Sequence, residues 1–218
     1  MGDLYVFADE AGCFTFRRQA GASAYFVLCT LRTADCGLSH ELLQIRRDGA
    51  LAGRSDANKL HATRDPQSVR DRVYQAILSV PFEVDVTVLE KCKAPPEIAA
   101  NHASFYGVAW SLHLAQLRPS LLTTEGRVLL TAASLGPKRN RAVFKGAVNN
   151  VLQGMLDRHR WEIAFLESSQ DPMLWAADYC AWAIQRFYER NDERAFQLIQ
   201  PRIKSLQEPW RHQEKIYY

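Results

Sequence analysis

The chain has 218 residues, 47% of them hydrophobic, enough to bury a core and too apolar for a disordered segment, so a single domain over residues 1–218 is expected. A formal net charge of +3 fits nucleic acid as a partner without requiring it. Five scattered cysteines with no C-x-x-C pair exclude a disulfide framework and a zinc knuckle. No apolar run approaches the roughly 18 residues of a membrane span, and the first strand begins too near Met1 for a cleavable signal, so a cytoplasmic chain without a membrane partner is expected.

In chain order, Leu4 to Ala8 reads as a strand, Phe14 to Arg18 as a second and Ala24 to Leu31 as a strong third, with Gly12 and Gly21 between them. Together they predict an antiparallel meander. Helical spacing follows over Leu38 to Leu51 and over Pro66 to Leu78, the latter with Asp65 as its expected cap. Phe82 to Leu89 alternates and is rich in valine, hence a strand, and Asn101 to Leu117 is an amphipathic helix entered from Pro95-Pro96. Strand and helix then alternate: Arg127 to Ala132, Lys138 to Arg158, Trp161 to Leu166 and Pro172 to Arg190, where Asp171 reads as the N-cap. A last helix is expected over Glu193 to Leu206. The pattern predicts a mixed α/β sheet covered by helices.

The chemistry concentrates at two places. Asp9 and Glu10 end a hydrophobic strand, and Asp178 stands in the apolar helical run Leu174 to Ile184, where an aspartate is rarely buried without a partner. Convergence of these carboxylates on Mg2+ or Mn2+ would account for both, and would make a metal-dependent phosphoryl-transfer site. The plainer alternatives are a solvated turn at Asp9-Glu10-Ala11-Gly12 and a hydrogen-bonded core aspartate at 178. By the two-residue period of a strand, Asp9 shares a face with Tyr5 and Phe7 while Glu10 points away, so Asp9 is the better ligand.

Glu90, on the face of Val84, Val86 and Val88, is a candidate third carboxylate or a solvated strand-end charge, and Glu167, after the Trp161 strand, is another candidate ligand. His61, in Lys59-Leu60-His61-Ala62, is a candidate base or ligand or a plain surface histidine. Lys91 could steer a phosphate, and Lys138, Arg139, Arg141 and Lys145 form a basic helix start that suits a nucleic-acid backbone or a solvated face. The Trp210 to Tyr218 tail could stack on bases, but docking on the domain is expected. No P-loop, G-x-S-x-G, dinucleotide fingerprint or H-E-x-x-H occurs.

Taken together and in order, several of these segments resemble the bacterial and phage family known as domain of unknown function 3800. The resemblance rests on Asp9-Glu10-Ala11-Gly12, the strand AYFVLCTL, Lys59 to Ala62, Leu89-Glu90-Lys91 and Leu174 to Tyr179, and covers nearly the whole chain. It implies a ribonuclease H-like mixed sheet with flanking helices, in which an aspartate on the first strand and another on the last helix help bind Mg2+. It further implies a nuclease acting on DNA or RNA. One departure stands out: such folds are expected to carry another acid on a central strand, and Val128 to Ser134 has none. Either Glu90 or Glu167 supplies it, or this chain is a weakened copy that binds nucleic acid or a partner, in a mobile-element or phage-defence setting suggested by the family. A phosphatase acting on a small nucleotide is a further reading.

Overall fold

A computed structural model describes residues 2–17, 19–54, 58–134, 138–154 and 160–218. Its centre is a six-stranded mixed sheet in the order β5-β4-β1-β2-β3-β6. The strands are β1 (Leu4–Ala11), β2 (Tyr25–Thr33), β3 (Glu83–Glu90), β4 (Val128–Ala133), β5 (Trp161–Leu166) and β6 (Ile203–Gln207). β1, β2 and β3 form the expected antiparallel meander, while β4 runs parallel to β1 and β5 parallel to β4. The helices are α1 (Leu38–Leu51), α2 (Gln67–Leu78), α3 (Pro96–Ala99), α4 (His102–Thr123), α5 (Lys138–Gln153), α6 (Pro172–Arg190) and α7 (Glu193–Ile199).

The period of two in β1 builds a core on each side of the sheet. Phe7 joins Val27, Cys29, Leu31, Val84 and Val86 beneath α1, α2 and α6, whereas Val6 and Ala8 join Leu28, Leu130 and Ala132 beneath α4. A strand buried on both faces is a central strand, and β1 has β4 on one side and β2 on the other. α6 packs closely because much of its buried surface is small: Ala176, Ala177, Cys180, Ala181 and Ala183. Its start is fixed as expected, with Asp171 accepting from the Met173 N–H at 2.9 Å and Pro172 at the first turn.

Three expectations are corrected. Of the strand expected over Phe14 to Arg18, Phe14 to Arg17 form none, and Arg18 lies outside the described residues. Phe14 and Phe16 both turn into the α4 core, their ring centres 5.3 Å from Phe26 and 4.9 Å from Phe105, and the carbonyls of Cys13 and Thr15, which a ladder would need, accept from the Lys91 ammonium instead. The helix expected over Glu193 to Leu206 stops at Ile199: Pro201 lies in a single 3-10 turn, and Ile203–Gln207 becomes β6, parallel to β3. Asp65 does not cap α2, whose N-cap is Pro66 without a side-chain bond. The helix expected to reach Arg158 is described as far as Gln153, and residues 155–159 lie outside the described part. The tail docks as expected, with Trp210 6.1 Å from Phe105, Tyr218 5.8 Å from Phe16 and the Tyr217 N–H on the Cys92 carbonyl. Among the described residues no helix is long and apolar enough to cross a membrane.

Candidate functional site

The parallel strands β1, β4 and β5 end at one edge of the sheet, the side where open α/β sheets commonly bind ligands. Asp9 stands there, near the end of β1 and 8% exposed, on the face that α6 covers. Asp178 comes from α6, which packs on β1 and β2. Burial first, then the Asp178 carboxylate and then Glu10, push the Asp9 carboxyl well above its ordinary range. The Glu10 N–H donated to Asp9 Oδ1 at 2.9 Å and the charge of Lys59 act against that rise. Two acids 169 positions apart, the difference between 178 and 9, are thus one electrostatic unit.

A loop between α1 and α2 closes over them. Asp178 Oδ2 accepts from the Ala62 N–H at 2.8 Å and lies 3.3 Å from His61 Nδ1, an atom that is buried without a hydrogen bond. The loop is held by Asp65, which is 3% exposed. Its carboxylate accepts from Arg54 at 2.5 Å, from the His61 N–H at 2.7 Å and from the Tyr179 hydroxyl at 2.6 Å. Arg70 adds bonds to the carbonyls of Ala62 at 3.0 Å and Asp65 at 2.6 Å. Tyr179 follows Asp178 in α6, so the helix that carries the acid also anchors the loop that carries the histidine.

Glu10 faces the other way, as strand alternation requires. It accepts from the Tyr106 hydroxyl of α4 at 2.5 Å, its second oxygen is buried without a partner, and burial raises its carboxyl to about 7 despite that bond. Glu90 is not brought to the pair. Strand register sets Asp9 beside Cys29 and Cys29 beside Val86, four residues short of Glu90, so about 14 Å along the sheet separates them. Glu90 pairs instead with Lys93 at 2.9 Å. Glu167 follows Leu166, the partner of Ala133, at the same sheet edge as Asp9 but two strands away, roughly 10 Å.

The position beside Asp9 on β4, one step past the paired Ala8 and Ala132, is Ala133. It is buried and carries no ligand atom. Lys91 is corrected from a phosphate-steering residue to an internal one: it is 1% exposed, and its ammonium is committed to the loop before β2. Lys145 is exposed on α5; the side chains of Lys138, Arg139 and Arg141 lie outside the described residues.

Three contributors were not singled out from the sequence. Lys59 lies inside a short motif, Asp65 stands where a helix cap is expected, and Tyr179 belongs to an apolar helical run. A charged residue inside a short motif next to a candidate histidine was the available signal for Lys59; the other two reveal themselves only when α6 meets the loop.

Among the described residues no three His, Cys, Asp or Glu side chains are gathered as a ready cage for a metal. The donor set still fits a hard divalent cation. Two carboxylates lie near enough for the charge of Asp178 to disfavour the anion of Asp9, and Mg2+ is commonly held by one or two carboxylates with substrate oxygens completing its shell. No protein-family model matches this chain, and no curated protein matches it.

Proposed function

We propose that the chain is a divalent-metal-dependent nuclease of ribonuclease H-like architecture that hydrolyses phosphodiester bonds in DNA or RNA. The observation that carries this reading is the meeting of Asp9 from the central strand with Asp178 from the helix laid across it. The sheet supports it: an antiparallel β1-β2-β3 meander with β4 and β5 added parallel on the other side of β1 is the arrangement the resemblance to the domain 3800 family implies.

In this mechanism Asp9, buried at the strand end, and Asp178, part-exposed on the helix, would hold Mg2+ or Mn2+. The bound cation would supply Lewis acidity to a phosphate oxygen and lower the pKa of water. Lys59, whose charge is felt at Asp9, would offer a second cation to a phosphate bound there. His61, whose buried Nδ1 faces Asp178 and whose side chain is 29% exposed, is positioned to take or return a proton on the exposed part of its ring, and the Ala62 N–H holds Asp178 in place. Glu10 supports the strand end through Tyr106 and is kept out of direct ligation by its direction.

One observation favours a second reading. With Ala133 where another acid would lie beside Asp9, the chain would serve as a nucleic-acid- or partner-binding subunit with weakened catalysis. Incubating the protein with labelled single- and double-stranded DNA, RNA and hybrids in Mn2+ separates the two. The nuclease reading expects cleavage that Asp9→Asn and Asp178→Asn abolish. Salt-dependent binding without cleavage supports the second, and equal cleavage by wild type and both variants defeats the site assignment.

A further inference from the structure

Lys91 closes β3 with 1% exposure, and its Nζ makes three contacts: the carbonyl of Cys13 at 2.9 Å, the carbonyl of Thr15 at 2.7 Å and Cys13 Sγ at 3.3 Å. Two carbonyls satisfy two of the ammonium's three hydrogens but bring no net charge. An ammonium withdrawn from water needs an anion facing it. Among the described residues no carboxylate lies within ion-pair distance of Lys91: Glu90, its chain neighbour, accepts from Lys93 at 2.9 Å and from the Cys92 thiol at 3.3 Å. Among the described residues the one ionisable group in contact with the ammonium is the thiol of Cys13.

That thiol is built into its place. The Ser23 hydroxyl donates to Cys13 Sγ at 3.5 Å while Ser23 Oγ accepts from the Cys13 N–H at 3.0 Å. Gly12, with φ +109°, bends the chain so that Cys13 arrives beside Ser23. Cys13 is partly exposed, and a cavity of about 550 Å3 lies next to it, lined by its partners Ser23 and Lys91 together with Phe16, Arg17, Glu90 and Cys92 but not by Cys13 itself. Burial pushes the Cys13 thiol up, but the bonds from Ser23, Thr15 and Lys91 outweigh it and bring the thiol down to about 6. Cys29, Cys36 and Cys180 are pushed up by burial, Cys180 to about 12.

We propose that Cys13 and Lys91 form a thiolate–ammonium pair that makes Cys13 a modification site for small hydroperoxides, hydrogen peroxide being the simplest. The pair is independent of the metal-nuclease reading. The sulfur attacks the distal oxygen of the hydroperoxide; the S–O bond forms as the O–O bond breaks, and the distal hydroxyl passes to sulfur. The product is a sulfenic acid. Sulfur is oxidised by two electrons, and the hydroperoxide is reduced to an alkoxide or hydroxide that takes a proton from solvent.

Iodoacetamide labelling of the full chain, followed cysteine by cysteine by mass spectrometry across acidic to mildly alkaline pH, tests the pair. Cys13 labelling is expected to be fully developed at neutral pH, with its inflection about 6. Lys91→Met should move that inflection up, toward the ordinary thiol value of about 8.5, and slow neutral-pH labelling, a complete shift corresponding to a loss of about thirty-fold. Ser23→Ala should move it in the same direction at least as far, and serves should Lys91→Met fail to fold. Hydrogen peroxide followed by dimedone should trap a sulfenic acid on Cys13 before any other cysteine. A wild-type inflection near that of a free thiol, a profile unmoved by Ser23→Ala and Lys91→Met, or trapping first at another cysteine would overturn the proposal.

Discussion

His113 of α4 lies under the sheet with 0% exposure, its Nε2 2.9 Å from Thr30 Oγ1 and its Nδ1 2.9 Å from Thr87 Oγ1. One ring nitrogen bonds a hydroxyl of β2 and the other a hydroxyl of β3, so the ring ties two strands from below. Burial, with Arg32 adding and Asp85 opposing, lowers its pKa from 6.5 to about 4. Between these values the unfolded chain binds a proton that the folded chain does not, so stability must fall as pH falls through that window. The lowering of 2.5 units, 6.5 minus 4, is worth about 3 kcal/mol at 1.36 kcal/mol per unit. Above the window the group contributes its full share; below it both states are protonated and the loss levels off. His113→Gln keeps a polar side chain at the position and removes the titration. Urea unfolding of both proteins without metal, at a series of pH values, should give a wild-type curve that loses about 3 kcal/mol more than the variant on acidification. The raised carboxyls of Asp9 and Glu10 act in the opposite direction in both proteins and cancel in the difference. Parallel curves would show that His113 carries a proton in the folded state and that the burial argument is wrong.

Asp178→Asn relieves the repulsion at Asp9, so without metal it should melt no lower than wild type, and it should gain less when Mn2+ is added; equal Mn2+ shifts by thermal melting would make Asp178 a structural residue. Ala133→Asp should enlarge the Mn2+ shift while lowering the metal-free melting temperature, because it adds a buried acid beside Asp9; no change in the Mn2+ shift would separate β4 from the site. Asp65→Ala should cost about 3 kcal/mol in urea unfolding, since it leaves Arg54, the His61 N–H and the Tyr179 hydroxyl without their shared acceptor, and should weaken Mn2+ binding through the freed His61 loop. Gly12→Ala meets both a φ of +109° and a Cβ 2.5 Å from the Tyr25 carbonyl, so a loss of about 2 kcal/mol or more is expected, and a neutral result would mean the turn rearranges at little cost.

The elements whose own residues decide them were legible in the sequence. The valine-rich β3, the apolar β1 and β2, and helices α1, α2 and α6 all follow from periodicity, because their buried faces recur at a fixed spacing. The convergence of Asp9 and Asp178 was legible too, since an acid in an apolar helix needs a partner. What was not legible depended on partners distant in sequence. Phe14-Thr15-Phe16 alternates like a strand, yet Lys91 takes its carbonyls. Ile203 to Gln207 continues a helical stretch in composition, yet Pro201 and the free edge of β3 make it a strand. Asp65 stands before a proline as caps do, but three donors from elsewhere claim it first. Lys91 ends a strand, where charges are usually solvated, and its burial follows only from the turn that folds back over it.

The parallel strand β6 also bears on how the chain is made. Asp85 and Ser205 are bonded to each other across 120 positions, and Gln207 reaches back the same distance to Thr87. During synthesis, β3 therefore leaves the ribosome long before the strand that covers it, and for that interval the meander ends in an open row of backbone donors and acceptors. Such a row is a template for a neighbouring chain. Asp85, held between Arg32 and the arriving Ser205, puts a carboxylate on that edge while it is bare, so a nascent partner strand would have to bury it. The Asp85–Ser205 and Thr87–Gln207 bonds close that row only once the last strand has arrived.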